Sequence, residues 1–327
     1  MMLDVINKTE YEDNLLKRIL GRIEYYGGNK ILSSVILTGS FGRGEPSYTM
    51  ELDGSVVLKS DIEIVLVFPK ETSKKRVNAL IKQVSSHFTE DINMMPVSEN
   101  RVCKIHNFNY SVIKPRYITV FTYDLYNGSR TIWGKDFIET FRISNESIDE
   151  FEAKRLVANR IGELIYLKKT NIIPYTKVQW KGKVVLAIGS AWLICKKKYV
   201  SSYRGQYDTL KKVSEDIDHD IGPGFFSLYE KAFNFLRENI PIEEISDKLL
   251  KDYVKGADFF FQTLGLNRPK INNLARTMKY YKKYIKWANK YGLFGFEDRI
   301  LQSLISGYYR EYDDIDITAR IWKEVLY

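Results

Sequence analysis

The sequence predicts an α+β fold in which a mixed β-sheet core is followed by an all-helical C-terminal domain, and three observations carry that prediction. Between residues 31 and 123 the chain holds short runs rich in β-branched and aromatic residues, separated by turn formers. From about residue 147 these runs give way to long stretches of apolar residues at helical spacing. At 327 residues the chain exceeds what one hydrophobic core usually serves, so two domains are expected, 1–146 and 147–327.

The elements follow in order. Residues 8–28 read as a helix whose apolar face is Leu15, Leu16, Ile19, Leu20 and Ile23, ended by Gly27-Gly28. Residues 31–38 read as a strand that runs straight into Gly39-Ser40-Phe41-Gly42-Arg43-Gly44-Glu45. A hairpin is expected over 48–58, turning at Asp53-Gly54, and a strong strand over 61–68. Residues 72–88 suit a helix, with Val77, Leu80, Ile81 and Val84 on one side. Residues 92–97 and 117–123 are further strand candidates. The C-terminal half predicts helices over 152–168, 181–197, 205–218, 224–238, 247–263, 270–290 and 298–308. No internal repeat and no low-complexity linker interrupts them.

Bulk properties narrow the function. A net charge of +9 and a pI near 9.1 favour an anionic partner or substrate, whether nucleotide, nucleic acid or acidic surface. Two cysteines, Cys103 and Cys195, make no disulfide framework, and with only His87, His106 and His219 beside them they offer no zinc-ligand spacing. The start, Met1-Met2-Leu3-Asp4, has no basic region followed by an apolar run, so no signal peptide is expected. The most membrane-like stretch, 184–195, is bracketed by Lys183 and Lys196-Lys197-Lys198 and is shorter than the roughly 20 apolar residues a span needs. A buried helix in a cytoplasmic enzyme, with no membrane span, is the expectation.

The chemistry sits between residues 36 and 68. A strand ends in Gly39-Ser40, and the next long strand opens with Asp61-Ile62-Glu63-Ile64. Strand side chains alternate, so Asp61 and Glu63 project from one side. Two carboxylates so close repel each other unless a cation lies between them, and hard oxygen donors suit Mg²⁺. Gly39 lets backbone approach a phosphate, Ser40 offers a hydroxyl and an N–H, and Arg43 carries a fork matched to phosphate oxygens. The acids also stand at the end of an otherwise apolar strand, where unpaired charge is costly. Together these parts describe phosphoryl or nucleotidyl transfer, in which catalysis is positioning and charge stabilisation.

Gly39-Ser40-Phe41-Gly42-Arg43-Gly44-Glu45 followed by Ser60-Asp61-Ile62-Glu63-Ile64-Val65-Leu66-Val67 resembles the signature of the DNA polymerase β-like nucleotidyltransferase superfamily, including its small-molecule and antibiotic-modifying members. The resemblance covers about residues 30–70 and extends more faintly to 135. It implies a mixed-sheet core, two Mg²⁺ ions, and transfer of a nucleoside monophosphate from an NTP, ATP foremost, with release of pyrophosphate. It implies that Gly39, Ser40 and Arg43 bind nucleotide and that Asp61 and Glu63 hold metal. A third carboxylate, both metal ligand and base, is expected at Asp91, with Glu90 and Asp124 as alternatives; Asn93 stands where an acid would also serve. The span from Ser40 to Asp61 is longer than in compact members, and the 48–58 hairpin that fills it reads as an inert insertion or an acceptor-side flap. Residues 124–135, with a turn at Asn127-Gly128, resemble the close of small domains of this kind.

The helical half adds two basic features, Lys196-Lys197-Lys198 and the stripe Lys279, Lys283, Lys286 and Lys290, each read as a solvated face or a polyanion contact. Residues 199–207, with Ser201, Ser202, Tyr203, Arg204 and Gln206, are polar and aromatic enough to line an acceptor site. The leading expectation is a metal-dependent nucleotidyltransferase acting on a hydroxyl of a small molecule. Synthesis of a nucleotide second messenger or extension of an RNA end is one alternative, which keeps nucleic acid as a partner. A catalytically silent nucleotide-binding or toxin–antitoxin module is the other.

Overall fold

The computed structural model describes residues 3–50, 56–58, 60–88, 92–98, 118–138, 142–168, 174–237, 240, 242, 245–266 and 296–310. The chain divides into two compact units, residues 1–147 and 148–327. Its class is α+β.

In the first unit, helix α1 (Leu3–Tyr25) precedes strand β1 (Ser34–Thr38), which passes into a one-turn helix α2 (Gly39–Gly42). A small hairpin follows, β2 (Tyr48–Met50) paired with β3 (Val56–Leu58). Its expected turn at Asp53-Gly54 lies outside the described residues. Strand β4 (Ile62–Phe68), helix α3 (Lys74–Ser85) and strand β5 (Ile92–Ser98) form a β-α-β unit, and β5 lies parallel to β4. The sheet order is β5-β4-β1-β6, where β6 is Arg130–Gly134 and β1 runs antiparallel to both of its neighbours. The sheet is therefore mixed.

Burial explains the apolar runs. Val35 and Leu37 of β1 join Ile62, Ile64 and Leu66 of β4 in one core with Leu15, Ile19 and Ile23 of α1 and Val77, Leu80 and Val84 of α3. Ile36, Val65 and Val67 are equally buried, so these central strands carry apolar residues on both faces. An unbroken hydrophobic strand ending in acids is thus a buried strand whose end reaches the surface.

One expected strand is a helix. Residues 117–123 were predicted as β from their β-branched and aromatic content, but Val120–Asn127 forms helix α4. Thr119 caps it by accepting from the Thr122 amide at 3.0 Å, and Tyr123, Leu125 and Tyr126 are buried. Capping and burial override β-propensity, which spans only about 1 kcal/mol.

The described elements of the second unit are all helical: α5 (Phe151–Lys168), α6 (Pro174–Cys195), α7 (Tyr203–Lys212), α8 (Ser214–Ile221), α9 (Phe225–Arg237), α10 (Asp247–Thr263) and α11 (Phe296–Arg310). The single helix expected over 205–218 is two, broken at Val213, whose φ of −128° leaves the helical region. The helix expected over 270–290 lies outside the described residues. Helix α6 is the buried one: Val184, Val185, Ile188, Ala191, Trp192, Leu193 and Ile194 are all inaccessible, and α5, α7, α9 and α10 pack around it. Gly189 permits the close approach of α9, since a Cβ there would lie 2.4 Å from the Tyr229 ring. Among the described residues no helix is long and apolar enough to cross a membrane.

Candidate active site

Strand β1 ends at the buried Thr38, which is register partner to Glu63 on β4. The backbone then turns through Gly39 with φ +64°, a left-handed conformation that favours glycine. The neighbouring strand reinforces that requirement. A Cβ on Gly39 would meet Glu63 Oε2 at 1.8 Å, so the Glu63 carboxylate occupies the space a side chain would need. Glycine at 39 and an acid at 63 are two halves of one arrangement. Ser40 follows in the turn and is partly exposed.

Asp61 is exposed and stands one residue before β4, while Glu63 is half-buried within it. The hairpin between Ser40 and Asp61 is closed at its base. The Ser47 amide donates to Ser60 Oγ at 2.8 Å, and the Ser60 amide donates back to the Ser47 carbonyl at 3.3 Å. The hairpin is also tethered to α1: Tyr48 donates its hydroxyl to Glu12 Oε1 at 2.5 Å and meets the Tyr11 ring edge-on at 6.4 Å. Burial, followed by the hydrogen bond to Glu12, raises the Tyr48 hydroxyl above the ordinary tyrosine range. Closure at 47 and 60 returns the chain to the end of the sheet where it left, which delivers Asp61.

Behind the turn lies the corner that joins α4 to β6. Arg43 Nε is 3.6 Å from Glu45 Oε2, and its Nη1 is 4.0 Å from Asp124 Oδ2. The Arg43 side chain is only 9% exposed, so these carboxylates engage the cation in a poorly solvated place. Gly42 abuts backbone on two sides, because a Cβ there would lie 2.6 Å from the Leu37 carbonyl oxygen and 2.8 Å from that of Gly128. Ser129 Oγ donates to Thr38 Oγ1 at 2.7 Å.

The structure therefore brings Gly39, Ser40 and Glu63 together, with Asp61 beside them in sequence and exposed. Arg43 is turned toward Glu45 and Asp124. Asp91 and Glu90 lie outside the described residues, and the backbone partner of Glu63 on β5 is Asn93. Among the described residues no three Asp, Glu, His or Cys side chains gather at one point. Asp61 and Glu63 would fit Mg²⁺ by donor type, both being hard oxygen ligands at the start of β4. The roles of Thr38, Gly42 and Ser129 escaped the sequence reading. The 124–135 segment, with its Asn127-Gly128 turn and Asp124, signalled that corner.

In the second unit the residues marked by sequence are held by packing. The Arg237 guanidinium lies 3.8 Å from the Tyr203 ring centroid, and that of Arg204 lies 5.1 Å from Phe233. Gln206 is buried, accepting from Ser190 at 2.5 Å and donating to the Val200 carbonyl at 2.8 Å. Lys196 pairs with Asp220 at 3.0 Å and Lys197 with Glu150 at 3.1 Å. The stripe from Lys279 to Lys290 lies outside the described residues. Compared with known protein families and with curated proteins, the chain has no match in either.

Proposed function

We propose that the chain is a metal-dependent nucleotidyltransferase that moves a nucleoside monophosphate from an NTP to an acceptor hydroxyl, with pyrophosphate as the leaving group. The observation that carries this reading is the fit of Glu63 against Gly39. A left-handed glycine turn and the Glu63 carboxylate occupy one small volume, and the carboxylate accounts for the glycine at 39.

In this reading the Gly39-Ser40 turn cradles the triphosphate, with the Ser40 hydroxyl and backbone as donors to phosphate oxygens. Asp61 and Glu63 would hold Mg²⁺, which when bound offsets the negative charge of the phosphates. The acceptor oxygen forms the new bond to the α-phosphorus, the bond from that phosphorus to the pyrophosphate oxygen breaks, and the acceptor proton passes to a carboxylate base, for which Asp91 is our candidate. A small-molecule acceptor is the leading choice. A silent nucleotide-binding module is the second reading, favoured by one feature: the partner of Glu63 on β5 is an amide, Asn93, rather than an acid.

Thermal unfolding with each of the four ribonucleoside triphosphates, with and without Mg²⁺, tests the proposal. A ligand at ~100 times its dissociation constant stabilises the folded state by about 2.7 kcal/mol. We expect a Mg²⁺-dependent rise with at least one triphosphate, lost when Asp61→Asn and Glu63→Gln are combined, while far-UV circular dichroism is unchanged. No rise with any triphosphate would sink the reading. A rise without pyrophosphate release across a broad set of acceptors would select the silent module.

A further inference from the structure

Three residues at the corner between α4 and β6 meet the back of the Thr38–Arg43 turn at three separate places. Asp124 faces Arg43 at 4.0 Å, the Gly128 carbonyl lies against Gly42, and Ser129 Oγ donates to Thr38 Oγ1 at 2.7 Å. The corner is itself tied down. The Gly128 amide donates to the Asp124 carbonyl at 2.8 Å, and the Asn127 side chain donates to the carbonyls of Tyr123 and Ile143 at 3.1 and 3.0 Å. The amides of Arg43, Gly44 and Glu45 close the turn onto Gly39, Phe41 and Ser40 at 3.2, 3.2 and 2.8 Å, and Thr38 makes no side-chain cap.

We propose that this corner positions the Gly39-Ser40 turn for its ligand, with Ser129 acting through Thr38 and Asp124 acting through Arg43, and that Asp124 is consequently not the third metal carboxylate. The inference deepens the nucleotidyltransferase reading and rests on it for the identity of the ligand. Thr38 is the residue on which it turns. It is buried, pairs in register with Glu63, and immediately precedes Gly39, so a shift at Thr38 moves turn and carboxylate relative to each other. Its hydroxyl is fixed by Ser129 across 91 residues of chain. Arg43 at the far end of the turn faces the Asp124 carboxylate at 4.0 Å, so the corner meets the turn at both ends. A carboxylate spent on Arg43 serves geometry rather than cation binding.

The test has an arm that does not depend on nucleotide. Hydrogen exchange of the intact chain, followed on peptides covering 39–46, reads the closing amides of the turn directly. Removing one hydrogen bond of this kind is expected to speed their exchange about three- to tenfold. Ser129→Ala and Thr38→Val should both do so, Thr38→Ser should retain wild-type exchange, and peptides of α9 should be unchanged in all three. Unchanged exchange at 39–46 in both Ser129→Ala and Thr38→Val overturns the proposal. The second arm follows the Mg²⁺ concentration that half-maximally supports triphosphate-induced stabilisation. For Asp124→Asn we expect that midpoint to stay within about twofold of wild type while triphosphate affinity falls about three- to tenfold, and a larger shift of the midpoint would make Asp124 a metal ligand after all. If the wild type shows no triphosphate response, the functional reading fails, and the exchange arm still decides whether the corner holds the turn.

Discussion

Gly39 shows how a single residue type can be required twice. Its φ of +64° disfavours any side chain, and the Glu63 carboxylate fills the space a side chain would enter. Gly44 provides the comparison: its φ of +71° is equally left-handed, but among the described residues nothing lies within 4 Å of where its Cβ would be. Gly44→Ala is therefore expected to cost only the left-handed penalty, about 1–2 kcal/mol. Gly39→Ala should cost more, in a range of about 2–4 kcal/mol once displacement of Glu63 is added. The excess should largely vanish in a Glu63→Ala background, a coupling that thermal unfolding of the four proteins measures. Equal costs at 39 and 44 would show that Glu63 moves aside freely. The need for a glycine followed by an acidic strand was legible in the sequence, because it depends on residues whose chemistry is local. Their interlocking was not, since it arises from the register of β1 against β4.

Helices α6 and α8 illustrate coupling at the scale of elements. Asp220 near the end of α8 accepts from Trp192 Nε1 of α6 at 2.8 Å and pairs with Lys196 at 3.0 Å. Burial pushes the Asp220 carboxyl upward, but the bonds from Lys196, Trp192 and His219 outweigh it and hold the group below the ordinary aspartate range. A depressed folded-state value means that the stabilisation is present above the unfolded value of about 3.9 and is lost as pH falls through the folded value. Trp192 is buried and reports on the pair directly. We expect its fluorescence and the stability of the protein to change together below about pH 4. Asp220→Asn should lower neutral-pH stability by about 1 kcal/mol and flatten that acid dependence, and an unaltered acid profile in the variant would remove Asp220 from the account. The apolar stripe of α6 was readable from its sequence, whereas Asp220, 28 residues away, carried no pattern of its own. Helix α4 departs from its sequence expectation for a related reason, since local β-propensity gives way to a cap and a buried face.

At the scale of the molecule, the two units differ in construction. The first is a mixed sheet whose core draws on α1, α3 and the central strands, with Ile132 of β6 packed against it. Both halves of the candidate site, the turn at 39–43 and the acids at 61 and 63, belong to that unit, as does the supporting corner at 124–129. We expect a fragment of residues 1–147 to unfold cooperatively on its own and to keep the Mg²⁺-dependent triphosphate response of the whole chain. A folded fragment without that response would assign part of the nucleotide site to the helical unit.

What the sequence determined by itself was whatever depends on nearest neighbours along the chain. Periodicity marked most strands and helices, the apolar run of β4 marked a buried strand, and Gly39-Ser40 with Asp61 and Glu63 gave the expectation on which our proposal rests. Tertiary structure alone decided which distant residues meet around that turn and hairpin. Ser129 reaches Thr38 across 91 positions, Asp124 faces Arg43 from a helix that local propensity predicted as a strand, and Ser60 meets Ser47 only because the hairpin folds back. The physical reason is range. Propensity and patterning act within a turn or a strand, while register, burial and the pairing of buried polar groups are set when the sheet closes and every backbone partner is chosen at once.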